Sequence, residues 1–168
     1  MPVPDRENNA MPADLTRLKV LIIDDQDFVR TIIRKMLGQI GIVTVVEARD
    51  GTSGLDVVDR ERPDLVICDV RMRPLDGFGF VRAVRAQPET TALPVILLTA
   101  HTDDATLALA EDIGVDAFLA KPVLAPCPQG QDRRGRRRAG LTAARTYGLG
   151  RGPWSHLKPL FQPIYLIK

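Results

Sequence analysis

Only two cysteines occur in the 168 residues, Cys68 and Cys127, and they have no metal-ligand spacing. Cys68 is expected to pack as a small core residue. A structural disulfide is not expected in a chain that reads as cytoplasmic. No apolar run approaches the roughly 18 residues needed to cross a bilayer, so no membrane association is expected. The N-terminus lacks a basic segment followed by an apolar core, and no secretory signal is visible. No Gly-x-x-x-x-Gly-Lys-Ser/Thr motif is present, which argues against a nucleotide-binding P-loop. The Gly51-Thr52-Ser53-Gly54 stretch reads as a loop and helix start. No internal repeat is found.

What the chain does have is a set of acids placed after apolar runs. Asp24 and Asp25 follow Val20-Leu21-Ile22-Ile23, and Asp69 follows Leu65-Val66-Ile67-Cys68. Each run has the length and composition of a buried strand. Three acids delivered to one sheet edge repel one another unless a cation sits among them, and a hard divalent ion bound through oxygens answers that need.

Hydrophobic residues make up 45% and charged residues 26%, the balance of a globular chain. The charge is divided unevenly. Residues 1–121 hold 14 Lys+Arg against 20 Asp+Glu, whereas residues 122–168 hold 9 against 1. A boundary is therefore expected near Lys121. Residues 1–17, with three prolines and little apolar periodicity, read as a flexible arm.

Strand and helix signals alternate between these limits. Strands are expected over 19–23, 43–46, 65–68, 95–98 and 117–120. Helices are expected over about 28–40, 52–59, 78–85 and from Asp103 or Asp104 to about 113. Asp27 is a candidate cap for the first helix. Phe28, Ile32, Ile33, Met36, Leu37 and Ile40 would form its apolar face, and Gly38 or Gly41 would end it. This alternation implies an α/β fold with a parallel sheet and helices on both faces. Functional crevices of such sheets lie outside the carboxyl ends of the strands. Asp24, Asp69, Thr99 and Lys121 occupy those ends on four different strands.

Asp25 and Asp69 could ligate Mg²⁺ directly, with Asp24 acting through a water. Lys121 adds a point charge suited to phosphate, and Thr99 adds a hydroxyl. Together they would stabilise the equatorial oxygens of a transferring phosphoryl group. Asp69, standing alone at the centre of the edge, is the candidate nucleophile. Singly, each residue has an ordinary structural role: an Asp pair often caps a turn, a Thr is usually structural, and a Lys is usually a solvated charge. Their joint order favours the chemical role.

These residues resemble the receiver domain of bacterial two-component response regulators, of the stand-alone chemotaxis-regulator kind, over residues 18–123. The resemblance rests on Val20-Leu21-Ile22-Ile23-Asp24-Asp25, on Leu65 to Gly77, on Pro94-Val95-Ile96-Leu97-Leu98-Thr99-Ala100 and on Phe118-Leu119-Ala120-Lys121-Pro122. It implies a flavodoxin-like, doubly wound, five-stranded sheet of order 2-1-3-4-5. It implies that Asp69 accepts a phosphoryl group from a sensor histidine kinase or a histidine phosphotransfer protein. It implies Mg²⁺ held by Asp25, Asp69 and the backbone carbonyl of Arg71, with Asp24 helping through water. Thr99 and Phe118 resemble the switch pair, and the Lys121-Pro122 bond resembles the family's cis peptide. Arg71 and His101 resemble positions that tune the lifetime of the acyl phosphate. Arg71 could equally be a solvated cation, and His101 an exposed loop histidine.

The family's fifth helix is not expected here. Pro126, Pro128 and Gly130 disfavour a helix after Lys121-Pro122, and Arg133-Arg134-Gly135-Arg136-Arg137-Arg138 follows. Residues 124–168 could be a disordered basic arm, an extension folded over the open face, or an out-of-frame translation. A missing helix would uncover Val95, Leu97, Leu119 and the apolar face of the fourth helix. The expected function is a phosphorylation-gated response regulator, not an enzyme, whose output is contact with a downstream protein or a second copy of itself. The alternative is a DNA-binding transcriptional regulator using the basic tail, although the tail is too short and unpatterned for a helix-turn-helix module with its own core. An aspartyl-phosphate phosphatase is disfavoured because Arg71 stands where such chemistry wants a second Asp.

Overall fold

The computed structural model describes residues 15–100 and 104–121. The expected N-terminal arm, His101, the Lys121-Pro122 bond and residues 124–168 lie outside this range. After a 3-10 turn at Leu15–Arg17, five strands alternate with four helices. They are β1 (Lys19–Ile23), α1 (Asp27–Gln39), β2 (Thr44–Ala48), α2 (Gly51–Glu61), β3 (Leu65–Asp69), α3 (Gly77–Ala86), β4 (Val95–Thr99), α4 (Asp104–Ile113) and β5 (Ala117–Ala120). All neighbouring strands pair in parallel, in the order β2-β1-β3-β4-β5. No helix among the described residues is long and apolar enough to cross a membrane.

Local chemistry sets several helix boundaries. Asp50 caps α2 by accepting from the Ser53 N–H at 2.9 Å, and the Ser53 hydroxyl accepts from the Asp50 N–H at 3.3 Å. This reciprocal cap starts α2 one residue before the expected Thr52. Asp76 caps α3 by accepting from the Gly79 N–H at 2.7 Å. At the end of α1 the chain turns at Gly41, whose φ of +94° suits glycine.

Several sequence expectations are corrected. Asp27 does not cap α1; it is the first helical residue, and Gln26 is the N-cap without a side-chain bond. The Asp27 carboxylate instead pairs with Arg30, one turn along. Phe28 is not on the buried face. It is 73% exposed, because the apolar stripe of α1 runs through Ile33, Met36 and Leu37. The second strand begins at Thr44, leaving Val43 exposed.

Alternation of side chains divides the core in two. On one face Leu21, Ile23, Val66, Cys68, Val95, Leu97 and Phe118 pack with α2, α3 and α4 through Val57, Val58, Phe80, Val81, Val84 and Ala110. On the other, Val20, Ile22, Leu65, Ile67, Ile96, Leu98, Ala117 and Leu119 join Ile33 and Leu37 of α1. Val95, Leu97 and the apolar side of α4 therefore do not share the face of Leu119. The register pairs Leu119 with Leu98 and Ala117 with Ile96, so these are its neighbours. Full burial of a side chain such as Phe80 contributes about 1.5–3 kcal/mol.

One glycine is set by close approach. A Cβ on Gly77 would stand 2.4 Å from the Asp69 carbonyl oxygen and 2.9 Å from the Val70 Cα, both backbone atoms. The Gly77 N–H also donates to the Val70 carbonyl at 3.0 Å. Gly77→Ala is expected to cost about 1–3 kcal/mol by forcing the β3–α3 turn apart. Urea denaturation of wild type and variant measures this.

Candidate functional site

The carboxyl ends of β1, β3 and β5 converge on one ion-paired group. The Lys121 ammonium lies 3.0 Å from Asp24 Oδ2 and 3.0 Å from Asp69 Oδ1. Strand alternation explains the meeting. Asp24 continues the set Val20 and Ile22, Asp69 continues Leu65 and Ile67, and Lys121 continues Ala117 and Leu119. All three thus emerge on the α1 side of the sheet. Thr99 continues the opposite set, Val95 and Leu97, to which Phe118 also belongs.

Asp24 is fully buried, and each of its polar groups is engaged. Its N–H donates to the Ala48 carbonyl at 3.2 Å. Its Oδ1 accepts from the Gln26 N–H at 2.9 Å, its Oδ2 accepts from Lys121, and its carbonyl accepts from Arg30 Nη1 at 2.6 Å. Asp25, next in the chain, is exposed. Asp24, Asp25 and Asp69 each offer an oxygen, and these oxygens lie within 4.8 Å of one another. An all-oxygen set of this size suits a hard divalent cation, so these residues could hold one.

Burial raises the Asp69 pKa above the ordinary carboxylate value, and the Asp24 charge adds to this. The Lys121 hydrogen bond and charge, with the Arg71 backbone N–H, pull the other way. For Lys121, burial works against the charge, but hydrogen bonds and attraction to Asp24 and Asp69 outweigh it, and its pKa is raised. Burial pushes the neighbouring Cys68 thiol well up, and its Sγ donates to the Asp69 carbonyl at 3.3 Å.

Thr99 ends β4 and is buried, and its carbonyl accepts from the Lys121 N–H at 2.7 Å. Phe118 is buried in the core on the α2–α4 side. Arg71 is exposed in the β3–α3 turn, and with Asp25, Val70, Met72, Arg73, Asp76 and Phe78 it lines an open cleft of about 600 Å³. The structure thus brings Asp24, Asp25, Asp69 and Lys121 together, with Thr99 and Arg71 at the same edge. Sequence reasoning missed Arg30, which is buried against this edge. Its signal was present: Arg30 stands three and seven residues before Ile33 and Leu37, on the buried stripe of α1.

Residues 20–126 match the sequence pattern of the response regulator receiver domain. The chain is 39% identical over 106 residues to a probable chemotaxis protein CheY of Rhizobium etli, covering 63% of this chain and 82% of that protein. It is 38% identical to the transcriptional regulatory protein AfsQ1 of Streptomyces coelicolor, over 62% of this chain but only 44% of that protein. Among solved structures, it is similar to a putative response regulator from Chloroflexus aurantiacus. The TM-score is 0.59 at 33% identity, covering 62% of this chain and 85% of that one.

The ion-paired group has a pH signature. Lys121→Met removes the shared cation and leaves Asp24 and Asp69 facing each other in a buried site. In chelator at about pH 7 the loss is expected to be about 3 kcal/mol. The raised Asp69 pKa means that its ionised form is the costly one, so the loss shrinks as pH falls and the carboxyl is protonated. The raised Lys121 pKa means that the wild type loses this stabilisation as pH rises through the folded value, whereas the variant has none to lose. Urea midpoints across the pH range read both limbs.

Proposed function

The chain belongs to the response regulator receiver domain family, and we propose that it is a phosphorylation-dependent switch in which Asp69 accepts a phosphoryl group from a histidine kinase or phosphotransfer protein. The observation that carries this reading is the Lys121 ammonium shared by Asp24 and Asp69 at 3.0 Å, with Asp25 beside them. The ammonium already lies against Asp69, where a phosphoryl oxygen carried by that carboxylate would need a counter-charge.

In the proposed reaction, an oxygen of Asp69 attacks the phosphorus of a phosphohistidine. The P–N bond breaks, its electron pair stays with the imidazole, and a P–O bond to Asp69 forms. Mg²⁺, held by Asp24, Asp25, Asp69 and the Arg71 carbonyl, would supply positive charge to the phosphoryl oxygens. Lys121 neutralises a further oxygen, and the Thr99 hydroxyl donates to the product. Phe118 lies on the same face of the sheet as Thr99, so movement of Thr99 toward the phosphoryl group would change the packing around that ring. We propose that the output is contact with a downstream protein. No observation on the described residues favours the DNA-binding alternative.

Incubation with acetyl phosphate or a kinase partner and Mg²⁺, followed by intact mass, tests the reading. One phosphoryl adduct is expected on the wild type and none on Asp69→Ala. Lys121→Met should form it about 10²-fold more slowly. An equal adduct on Asp69→Ala would count against the assignment.

A further inference from the structure

We infer that Arg30 is a positioning residue for the divalent-cation site, setting through the Asp24 carbonyl the direction in which Asp25 presents its carboxylate. This deepens the functional reading above and rests on it. Arg30 leaves 7% of its side chain exposed, while Arg34, one turn along, leaves 56%. Burying a guanidinium is costly unless its donors are satisfied. Here Nε donates to Glu47 Oε2 at 3.1 Å, Nη2 pairs with Asp27, and Nη1 donates to the Asp24 carbonyl at 2.6 Å. Burial works against its charge, but the bonds to Glu47 and Asp27 outweigh this and raise its pKa.

The anchors come from different elements. Glu47 is on β2 and Asp27 is in the first turn of α1, so the planar fork is fixed before it reaches the β1–α1 turn. Its remaining contact grips the peptide between Asp24 and Asp25. That peptide is planar, so fixing the Asp24 carbonyl also fixes the plane from which the Asp25 backbone departs. The other Asp24 contacts, to Ala48, Gln26 and Lys121, hold its amide and carboxylate. Arg30 holds the link to the exposed acid.

Mn²⁺ titration followed by electron paramagnetic resonance of the free ion tests this, with thermal melting run in parallel. Arg30→Met is expected to weaken Mn²⁺ binding about tenfold, as loss of a group orienting a metal ligand does. Arg34→Met, which removes a different partner of Glu47, should stay within about twofold of wild type. Direction separates the explanations. Loss of a nearby cation would by charge alone tighten Mn²⁺ binding, and a purely structural role would lower the melting temperature without changing affinity. Unchanged or tighter binding by folded Arg30→Met overturns the inference. Should that variant fail to fold, Arg30→Lys, which keeps the charge without the fork, decides by the same criterion. A wild type that binds no Mn²⁺ removes the functional reading itself, and this inference with it.

Discussion

Two buried carboxylates share one ammonium, and the rest of the sheet edge is arranged around that fact. Asp24 and Asp69 come from neighbouring strands and would repel each other in a medium of low polarity. Lys121, from the far edge strand, is the cation that lies between them. Its reach depends on β5 ending beside β4, and the bond from its N–H to the Thr99 carbonyl fixes that ending. The electrostatic arrangement therefore tests the topology: displacing β5 would leave two unpaired buried charges.

The division of the sheet into two faces sorts the edge residues by role. Strand alternation puts Asp24, Asp69 and Lys121 on the α1 side and Thr99 with Phe118 on the other. Charge is collected on one side of the sheet, and the hydroxyl–aromatic pair lies on the other, against α2, α3 and α4. The ion-paired group thus borders α1, while Thr99 and Phe118 border the apolar layer formed with α2, α3 and α4.

The strands were readable because each is a short apolar run closed by a polar residue, and β1 and β5 have the expected limits. Asp24, Asp25, Asp69, Thr99 and Lys121 were readable for the same reason, since a strand's end needs no tertiary knowledge to locate. Helix faces were harder. Phe28 stands four residues before Ile32 and eight before Met36, yet the buried stripe is centred on Ile33 and Leu37, well round the helix from it, and only packing shows which flank is covered. Arg30 was hidden by the rule that a charged side chain faces water; its three acceptors come partly from β2, seventeen residues away. Leu119 was grouped with Val95 and Leu97 because alternation sorts residues within one strand, whereas which residues of β4 and β5 share a face depends on the register between them.

Cys68 sits one residue before Asp69 and projects to the opposite side of the sheet, buried and with its thiol pushed toward the protonated form. Sulfur that is neither ionised nor accessible is a poor reductant and a poor nucleophile. Modification of Cys68 therefore requires β3 to open first, so the thiol reports on unfolding of that strand and not on the surface of the folded sheet.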